Sequence, residues 1–342
     1  MKKYSVAIVG ATGAVGETLL ELLAERQFPI VRVYPLASER SAGTTATFGH
    51  QSLIVESLAE FDFSQVDIAF FSAGADISHD YVPKAIAAGA VVIDNSSCFR
   101  YDDDVPLVVP EVNADAIKQY KLRHIIANPN CSTIQMVVAL KPLYDAVGIE
   151  RINVATYQAV SGTGRQALEE LVHQTANLLN AKPVQSKVYP KQIAFNVLPH
   201  IDRLEENGYT FEEMKMVRET QKILADSNIK INPTAVRVPV FYGHAEAINI
   251  ETKEKITAAG ATELLKHAMG VKVIDGRDEN FDYPTPVTEA SGKDAVYVGR
   301  IREDISCERG INLWVVADNV RKGAALNAIQ IAEYLIKHEL NK

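Results

Sequence analysis

The chain opens on an apolar run, Tyr4 to Val9, that meets Gly10-Ala11-Thr12-Gly13-Ala14-Val15-Gly16 and passes directly into a helical pattern. Val15, Leu19, Leu22 and Leu23 share one face of that pattern, so the glycines occupy a strand-to-helix turn. Such a turn lets backbone amides approach a pyrophosphate, which then rests on a helix N-terminus. A lone glycine motif is weak evidence. Placed at residue 10 between a strand and a helix, G-x-x-G-x-x-G commits the first part of the chain to alternating β and α elements around a dinucleotide. Gly10, Thr12, Gly13, Ala14 and Val15 are the expected cradle.

Further strands are expected at Ile30 to Leu36, Asp67 to Phe71, Val91 to Ile93 and near Leu107 to Val109, with a helix from Ser78 to Ala88. Ligands of such sheets lie beyond the carboxyl ends of the strands. The loops carrying Ser72 and Gly74, and then Asn95, should therefore flank the cofactor. The second strand ends in Ala37-Ser38-Glu39-Arg40-Ser41. Ser38, Arg40 and Ser41 offer two hydroxyls and a cation for a 2′-phosphate, which favours NADP. Glu39 could instead point inward and read the ribose hydroxyls of NAD.

A length of 342 residues suggests two domains. The net charge of -8, with no block of Lys and Arg, argues against a nucleic-acid partner. No apolar stretch approaches the roughly 20 residues that span a bilayer. The first strand begins so early that no room is left for a signal peptide. Cys98, Cys131 and Cys307 are too scattered for a disulfide framework or a zinc site. A cytoplasmic protein without a metal is the expectation.

Asn128-Pro129-Asn130-Cys131-Ser132-Thr133 places a cysteine where the run Ile125-Ile126-Ala127 gives way to a helical pattern reaching about Val147. In the first turn of a helix a thiol meets the positive end of the macrodipole and unpaired N–H groups, which favour thiolate. Cys131 is thus the candidate nucleophile, against the alternative of a buried cysteine acting as a small hydrophobe. Beyond it, long strand-like runs at Arg151 to Val160, Thr234 to Phe241, Ala245 to Thr252, Val296 to Glu303 and Gly310 to Ala317 suggest a mixed or antiparallel sheet carrying an oligomer interface. The last helix, about Lys322 to His338, should pack back on the first domain. The expected division is 1–130 completed by 322–342, and 131–321. His244 follows a glycine at a strand end and suits proton transfer. Arg237 could bind a carboxylate bidentately. Glu219 and Lys222 form an i, i+3 pair, a pattern that is usually a solvated surface pair. Arg100 stands just beyond a sheet terminus.

Taken together, GATGAVG at 10–16, SSCFR at 96–100, NPNCSTIQ at 128–135, YQAVSGTG at 157–164, the Glu219/Lys222 pair and RVPVFYGHAE at 237–246 resemble aspartate-β-semialdehyde dehydrogenases over essentially the whole chain. Ala235 departs from many relatives, which carry a cysteine there, and lies outside the chemistry. The resemblance implies an N-terminal Rossmann-type NADP-binding domain and an α+β catalytic and dimerisation domain with a mixed sheet. It implies reversible conversion of L-aspartate 4-semialdehyde, phosphate and NADP⁺ into L-aspartyl 4-phosphate and NADPH, on the route to lysine and diaminopimelate, methionine and threonine. Cys131 would form a thioester, His244 would be the acid/base, and Gln158 would orient the substrate. Arg237 would bind the α-carboxylate and Glu219 the α-ammonium, while Lys222 and Arg100 would bind phosphate. Ser161, Gly162 and Asn319 complete the expected cofactor contacts, and a homodimer or dimer of dimers is implied.

The nearest rival is an N-acetyl-γ-glutamyl-phosphate reductase, whose acetylated substrate needs no carboxylate partner for an ammonium. A phosphorylating glyceraldehyde-3-phosphate dehydrogenase lacks support because S-C-T-T-N is absent around the cysteine. An inactive NADP-binding paralogue would have no need of Cys131, Gln158 and His244 together. A Cys/His hydrolase would leave the glycine loop without a use.

Overall fold

In a computed structural model, which describes residues 2–276 and 281–340, the chain forms two compact units, Met1–Asn130 with Ala324–Lys342, and Cys131–Gly323. The first unit begins with β1 (Tyr4–Val9), α1 (Ala14–Glu25) and β2 (Ile30–Ala37). A two-stranded hairpin, β3 (Thr45–Phe48) and β4 (Gln51–Ile54), then precedes the short β5 (Glu56–Ser57). β6 (Ile68–Phe71), α2 (Ala75–Ala87), β7 (Val91–Asp94), α3 (Pro110–Asn113) and β8 (Ile125–Ala127) follow. The sheet is parallel throughout, in the order β5-β2-β1-β6-β7-β8. Strand order therefore reverses between β1 and β6, the crevice where doubly wound sheets bind dinucleotides. β6 and β7 are buried at every residue, as strands covered on both faces must be, and this accounts for their unbroken apolar runs.

The turn after β1 is built by close approach. A Cβ on Gly16 would stand 2.1 Å from the Gly10 carbonyl oxygen, so only glycine lets α1 begin this near the strand. Gly13 occupies the N-cap with no side-chain hydrogen bond, which leaves the first-turn N–H groups of α1 to an outside acceptor.

The second unit starts with α4 (Cys131–Val147) and β9 (Ile149–Gln158), then α5 (Arg165–Leu179), α6 (Phe211–Leu224), β10 (Lys230–Arg237) and β11 (His244–Thr252). α7 (Ala258–Lys266), β12 (Val271–Val273), β13 (Val296–Glu303) and β14 (Gly310–Ala317) complete it. Its sheet runs β10-β9-β11-β14-β13-β12 and is mixed, with β10/β9 and β12/β13 parallel and the pairs between them antiparallel. The Thr210/Glu213 capping box starts α6, and the same Glu213 carboxylate accepts the Ala235 N–H at 2.9 Å, which fixes α6 against β10. The chain then returns to the first unit, where α8 (Leu326–Leu335) puts Leu326, Ile329, Ala332 and Leu335 into the core formed by Val6, Ile8, Leu19, Leu22 and Leu23. Arg26 binds Glu333 through two hydrogen bonds of 2.8 Å and ties α8 to the end of α1.

Three expectations about elements need revision. The β3–β4 hairpin lies where no strand was expected. The stretch Leu107 to Val109 contributes a single bridge, Leu107 to Ala127, rather than a strand. β10 spans Lys230–Arg237 rather than Thr234 to Phe241. Pro233 is tolerated inside it because β10 is an edge strand, whereas Pro239 has no N–H to prolong the ladder.

Replacing Gly16 by Ala is predicted to force α1 off β1. Stability should drop by about 1–3 kcal/mol and affinity for a nicotinamide dinucleotide by at least about tenfold. Denaturant titration and cofactor fluorescence titration measure the two effects.

Candidate active site

In the first unit a cleft of about 510 Å³ is lined by Gly10, Thr12, Ala37, Ser38, Glu39, Arg40, Leu58, Ala73 and Tyr81, among others. Ser38, Glu39 and Arg40 are exposed on its rim, in a turn closed by a 2.9 Å bond from the Ser41 N–H to the Ser38 carbonyl. Ser72 donates its hydroxyl to the Val9 carbonyl at 3.0 Å and links the carboxyl ends of β6 and β1. Gly74 is the N-cap of α2, again without a side-chain cap. Asn95 donates to the Phe71 carbonyl at 3.1 Å, while its Oδ1 is buried with no partner. Uncapped N–H groups, a glycine approach and an unsatisfied carbonyl oxygen at the switch point suit a dinucleotide. Arg100 also belongs to this unit. It is buried, and its Nη2 donates to the Asn95 carbonyl at 2.7 Å.

In the second unit the register of the sheet gathers the candidate residues. Arg237 and Gln158 are cross-strand partners at the ends of parallel β10 and β9. β11 runs the other way, so its first residue, His244, starts where those strands finish. β14 is antiparallel to β11, which sets Ala317 opposite His244 and brings Asn319 to the same edge. Gly323 follows, and a Cβ built on it would lie 2.8 Å from the Cβ of Cys131 at the first position of α4. Gly243 adopts a φ of +89°, and a Cβ there would collide with the Pro286 carbonyl at 2.5 Å; this is the turn that aims His244.

Ala159 holds two of these side chains. Its carbonyl accepts a 2.8 Å bond from Arg237 Nη1, and its N–H donates to His244 Nδ1 at 3.1 Å. With Nδ1 accepting, the neutral imidazole carries its proton on Nε2. Burial, then the neighbouring Arg237 charge, pushes the His244 pKa down to about 3 against the opposing pull of Glu212. The ring is neutral near pH 7 and presents an Nε2–H donor. A Cβ on Gly162 would be 3.5 Å from His244 Nε2 and 3.2 Å from Arg237 Nη1, so the imidazole and guanidinium donors both face that loop. Asn319 fastens the loop by contacting the Ser161 hydroxyl at 3.0 Å and accepting the Gly243 N–H at 2.9 Å.

Gln158 donates to Glu212 at 3.0 Å, and Glu212 is ion-paired with Lys215 at 2.9 Å. Burial works against the Lys215 charge, but the Glu212 and Asp202 carboxylates outweigh it and hold its pKa above the ordinary range. The sequence pointed to Glu219 and Lys222, seven residues further along α6. They follow the same helical face about 10 Å away, with Glu219 buried and Lys222 half-buried. The acid and cation beside Gln158 are Glu212 and Lys215. Both pairs have the same i, i+3 spacing, so only the packing of α6 on β10 and β9 separates them. Among the described residues no group of three or more His, Cys, Asp or Glu could hold a metal ion, and no helix is long and apolar enough to cross a membrane.

A parallel sheet with a dinucleotide crevice, joined to a mixed-sheet unit that carries a helix-terminal thiol and a buried imidazole, defines a two-domain nicotinamide-dependent dehydrogenase. Residues 5–120 match the family model for the NAD-binding domain of semialdehyde dehydrogenases, and residues 140–322 match that of their dimerisation domain. The chain is 63% identical over 341 residues to an aspartate-semialdehyde dehydrogenase of Legionella pneumophila, covering 100% of this chain and 98% of that protein. Its fold is similar, with a TM-score of 0.97 and 58% identity, to the crystal structure of aspartate semialdehyde dehydrogenase II from Vibrio cholerae complexed with ASA, covering 99% and 100% of the two chains. It is also similar to the aspartate semialdehyde dehydrogenase with NADP from Candida albicans, at 27% identity, a TM-score of 0.75 and coverage of 98% and 99%. The chain belongs to the aspartate-semialdehyde dehydrogenase family, oxidoreductases of amino-acid biosynthesis that use a nicotinamide cofactor.

The depressed His244 pKa has a consequence for stability. The unfolded chain takes up a proton near pH 6.5 while the folded chain refuses it until about pH 3. Stability is therefore lost as pH falls through that window, by up to about 1.4 kcal/mol per pH unit. Between about pH 7 and pH 5, denaturant titrations should show the wild type losing about 2 kcal/mol more than His244→Asn. Parallel losses would mean that His244 titrates normally.

Proposed function

We propose that this chain catalyses the reversible NADP-dependent oxidative phosphorylation of L-aspartate 4-semialdehyde to L-aspartyl 4-phosphate through a thioester on Cys131. The reading places the reaction in the cytoplasm, on the route to lysine and diaminopimelate, methionine and threonine. The observation that carries it is the joint hold of Ala159 on His244 and Arg237, at the sheet edge where Gly323 meets Cys131. In the reductive direction the Cys131 thiolate attacks the acyl carbon and phosphate leaves with the electrons of the broken bond. A nicotinamide dinucleotide held on the Gly10–Gly16 turn would supply the hydride for reduction at the acyl carbon, or accept it in reverse. His244 Nε2–H and the first-turn N–H groups of α4 stabilise the oxyanion of the resulting thiohemiacetal. Its collapse releases the aldehyde and regenerates the thiolate. Arg237, whose Nε is buried without a partner, takes the α-carboxylate. Glu212, rather than Glu219, takes the α-ammonium with Gln158 orienting the substrate. Lys215, rather than Lys222, joins Arg100 as a phosphate ligand.

The choice of NADP rests on Ser38, Arg40 and Ser41 at the end of β2, and the Candida relative with NADP supports it. Ser161, Gly162 and Asn319 are proposed to contact the cofactor as well. The match to a dimerisation domain supports a homodimer, or a dimer of dimers.

The deciding assay follows nicotinamide reduction with aspartate 4-semialdehyde, with and without phosphate, using NADP⁺ or NAD⁺. Phosphate-dependent reduction of NADP⁺ is expected. Activity only with N-acetylglutamate 5-semialdehyde would overturn the substrate, and equal rates with NAD⁺ the cofactor preference. Cys131→Ala should abolish turnover while cofactor binding persists; retained turnover contradicts the thioester. Glu212→Gln should raise the semialdehyde KM by at least about tenfold, and Glu219→Gln should change it far less. The opposite ranking would return the ammonium to Glu219.

A further inference from the structure

Behind the proposed nucleophile lie two polar side chains that the chemistry above does not use. Glu246 is on β11, two residues after His244 and on the same face of the strand. Gln135 is on α4, four residues after Cys131 and hence one turn along the same helical face. Both are buried, Glu246 completely. The Gln135 amide lies against the Glu246 carboxyl and acts on it as a hydrogen-bond donor. Even so, neither oxygen of Glu246 and neither polar atom of Gln135 completes a bond of standard geometry.

The cross-strand neighbours do not supply partners. The cross-strand residues of Glu246 are Val315 on β14 and Thr156 on β9. The Thr156 hydroxyl is already engaged, donating to Gln158 at 3.0 Å and accepting from the Val236 N–H at 3.4 Å. The charged pair further along α4, Lys141 and Asp145, is mutual. His244 on the same face is neutral near pH 7. Among the described residues no cation is found to act on Glu246, and burial pushes its pKa well above the ordinary carboxylate range.

The atom inventory decides the protonation state. An ionised carboxylate accepts only, so it could take the Gln135 Nε2–H but would leave Oε1 facing like partial charge. A neutral acid has one O–H donor and one carbonyl acceptor, the complement of a primary amide. Donation from O–H to Oε1 and from Nε2–H to the acid carbonyl satisfies all four atoms at once. We propose that Glu246 is a positioning residue: held as a neutral carboxylic acid, it forms a reciprocal pair with the Gln135 amide that locks the first turns of α4 to β11, and with them Cys131 to His244. An anion here would also oppose the thiolate, which a neutral acid does not. The effect on catalysis rests on the thioester reading; the acid–amide pair does not.

The experiment is an infrared difference spectrum between the full-length protein and Glu246→Gln at neutral pH, with turnover of the variants beside it. A protonated-carboxyl carbonyl band that shifts in D₂O and is absent from Glu246→Gln is expected. Loss of an ionised-carboxylate band instead would overturn the pair. Glu246→Ala and Gln135→Met each break the pair from one side. At least one folded variant should lose kcat by about tenfold or more, with the semialdehyde KM little changed and the Cys131 alkylation rate altered in its pH dependence. Glu246→Gln, which can still pair with an amide, should restore kcat and the alkylation profile. Wild-type kcat in Gln135→Met, or failure of Glu246→Gln to rescue, would overturn the positioning role whatever the fate of Glu246→Ala.

Discussion

A single peptide residue organises the chemistry of the second unit. Through its carbonyl Ala159 restrains the Arg237 guanidinium, and through its N–H it restrains the His244 imidazole. Both side chains are buried, so their orientation is fixed by backbone rather than by flexible neighbours. The consequence for the imidazole is chemical as well as geometric. Burial, and then the nearby Arg237 charge, disfavour the charged form, and with Nδ1 accepting from a peptide the neutral ring is a hydrogen-bond donor through Nε2. It is thus suited to stabilising an oxyanion, and proton abstraction would require the Ala159 bond to break.

Several other buried polar groups among the described residues are held by named partners. Glu212 meets Lys215 and the Gln158 amide, and Asp202 shares Lys215. In the first unit Asp94 accepts from Ser78 and from both the N–H and hydroxyl of Ser96, while burial pushes its pKa upward. Uncompensated burial of an ion is expensive, and paired burial gives geometric fixity to the groups involved. Glu246 is the departure from that pattern, which is why its neutral form deserves a mechanical explanation.

Much of this was legible in the amino-acid order because it depended on local spacing. Gly10 to Gly16 required a strand on one side and a helix on the other, and both are present. Cys131 at a helix start could be read from the change of periodicity at Asn130. What spacing could not resolve was register. Glu212/Lys215 and Glu219/Lys222 repeat with a period of seven on one helix, so either pair satisfies the same pattern. The choice is made by Glu213, whose bond to the Ala235 N–H sets where α6 meets β10. The hairpin Thr45–Ile54 was missed for a related reason: its strands mix polar and apolar residues and turn at Gly49-His50, without the Asn-Gly or Asp-Gly signal that marks tight hairpins. Ala159 itself carries no side-chain signal at all, since its role is performed by its peptide groups.

The central claim is covalent chemistry at Cys131, and it is tested most directly by intact-protein and peptide mass spectrometry after mixing the enzyme with L-aspartyl 4-phosphate in the absence of reduced nicotinamide. The account predicts that an aspartyl group accumulates on the peptide carrying Cys131, with release of one phosphate per adduct, and that hydroxylamine removes it. Turnover-competent enzyme that never carries this adduct, or carries it on another residue, would contradict the account.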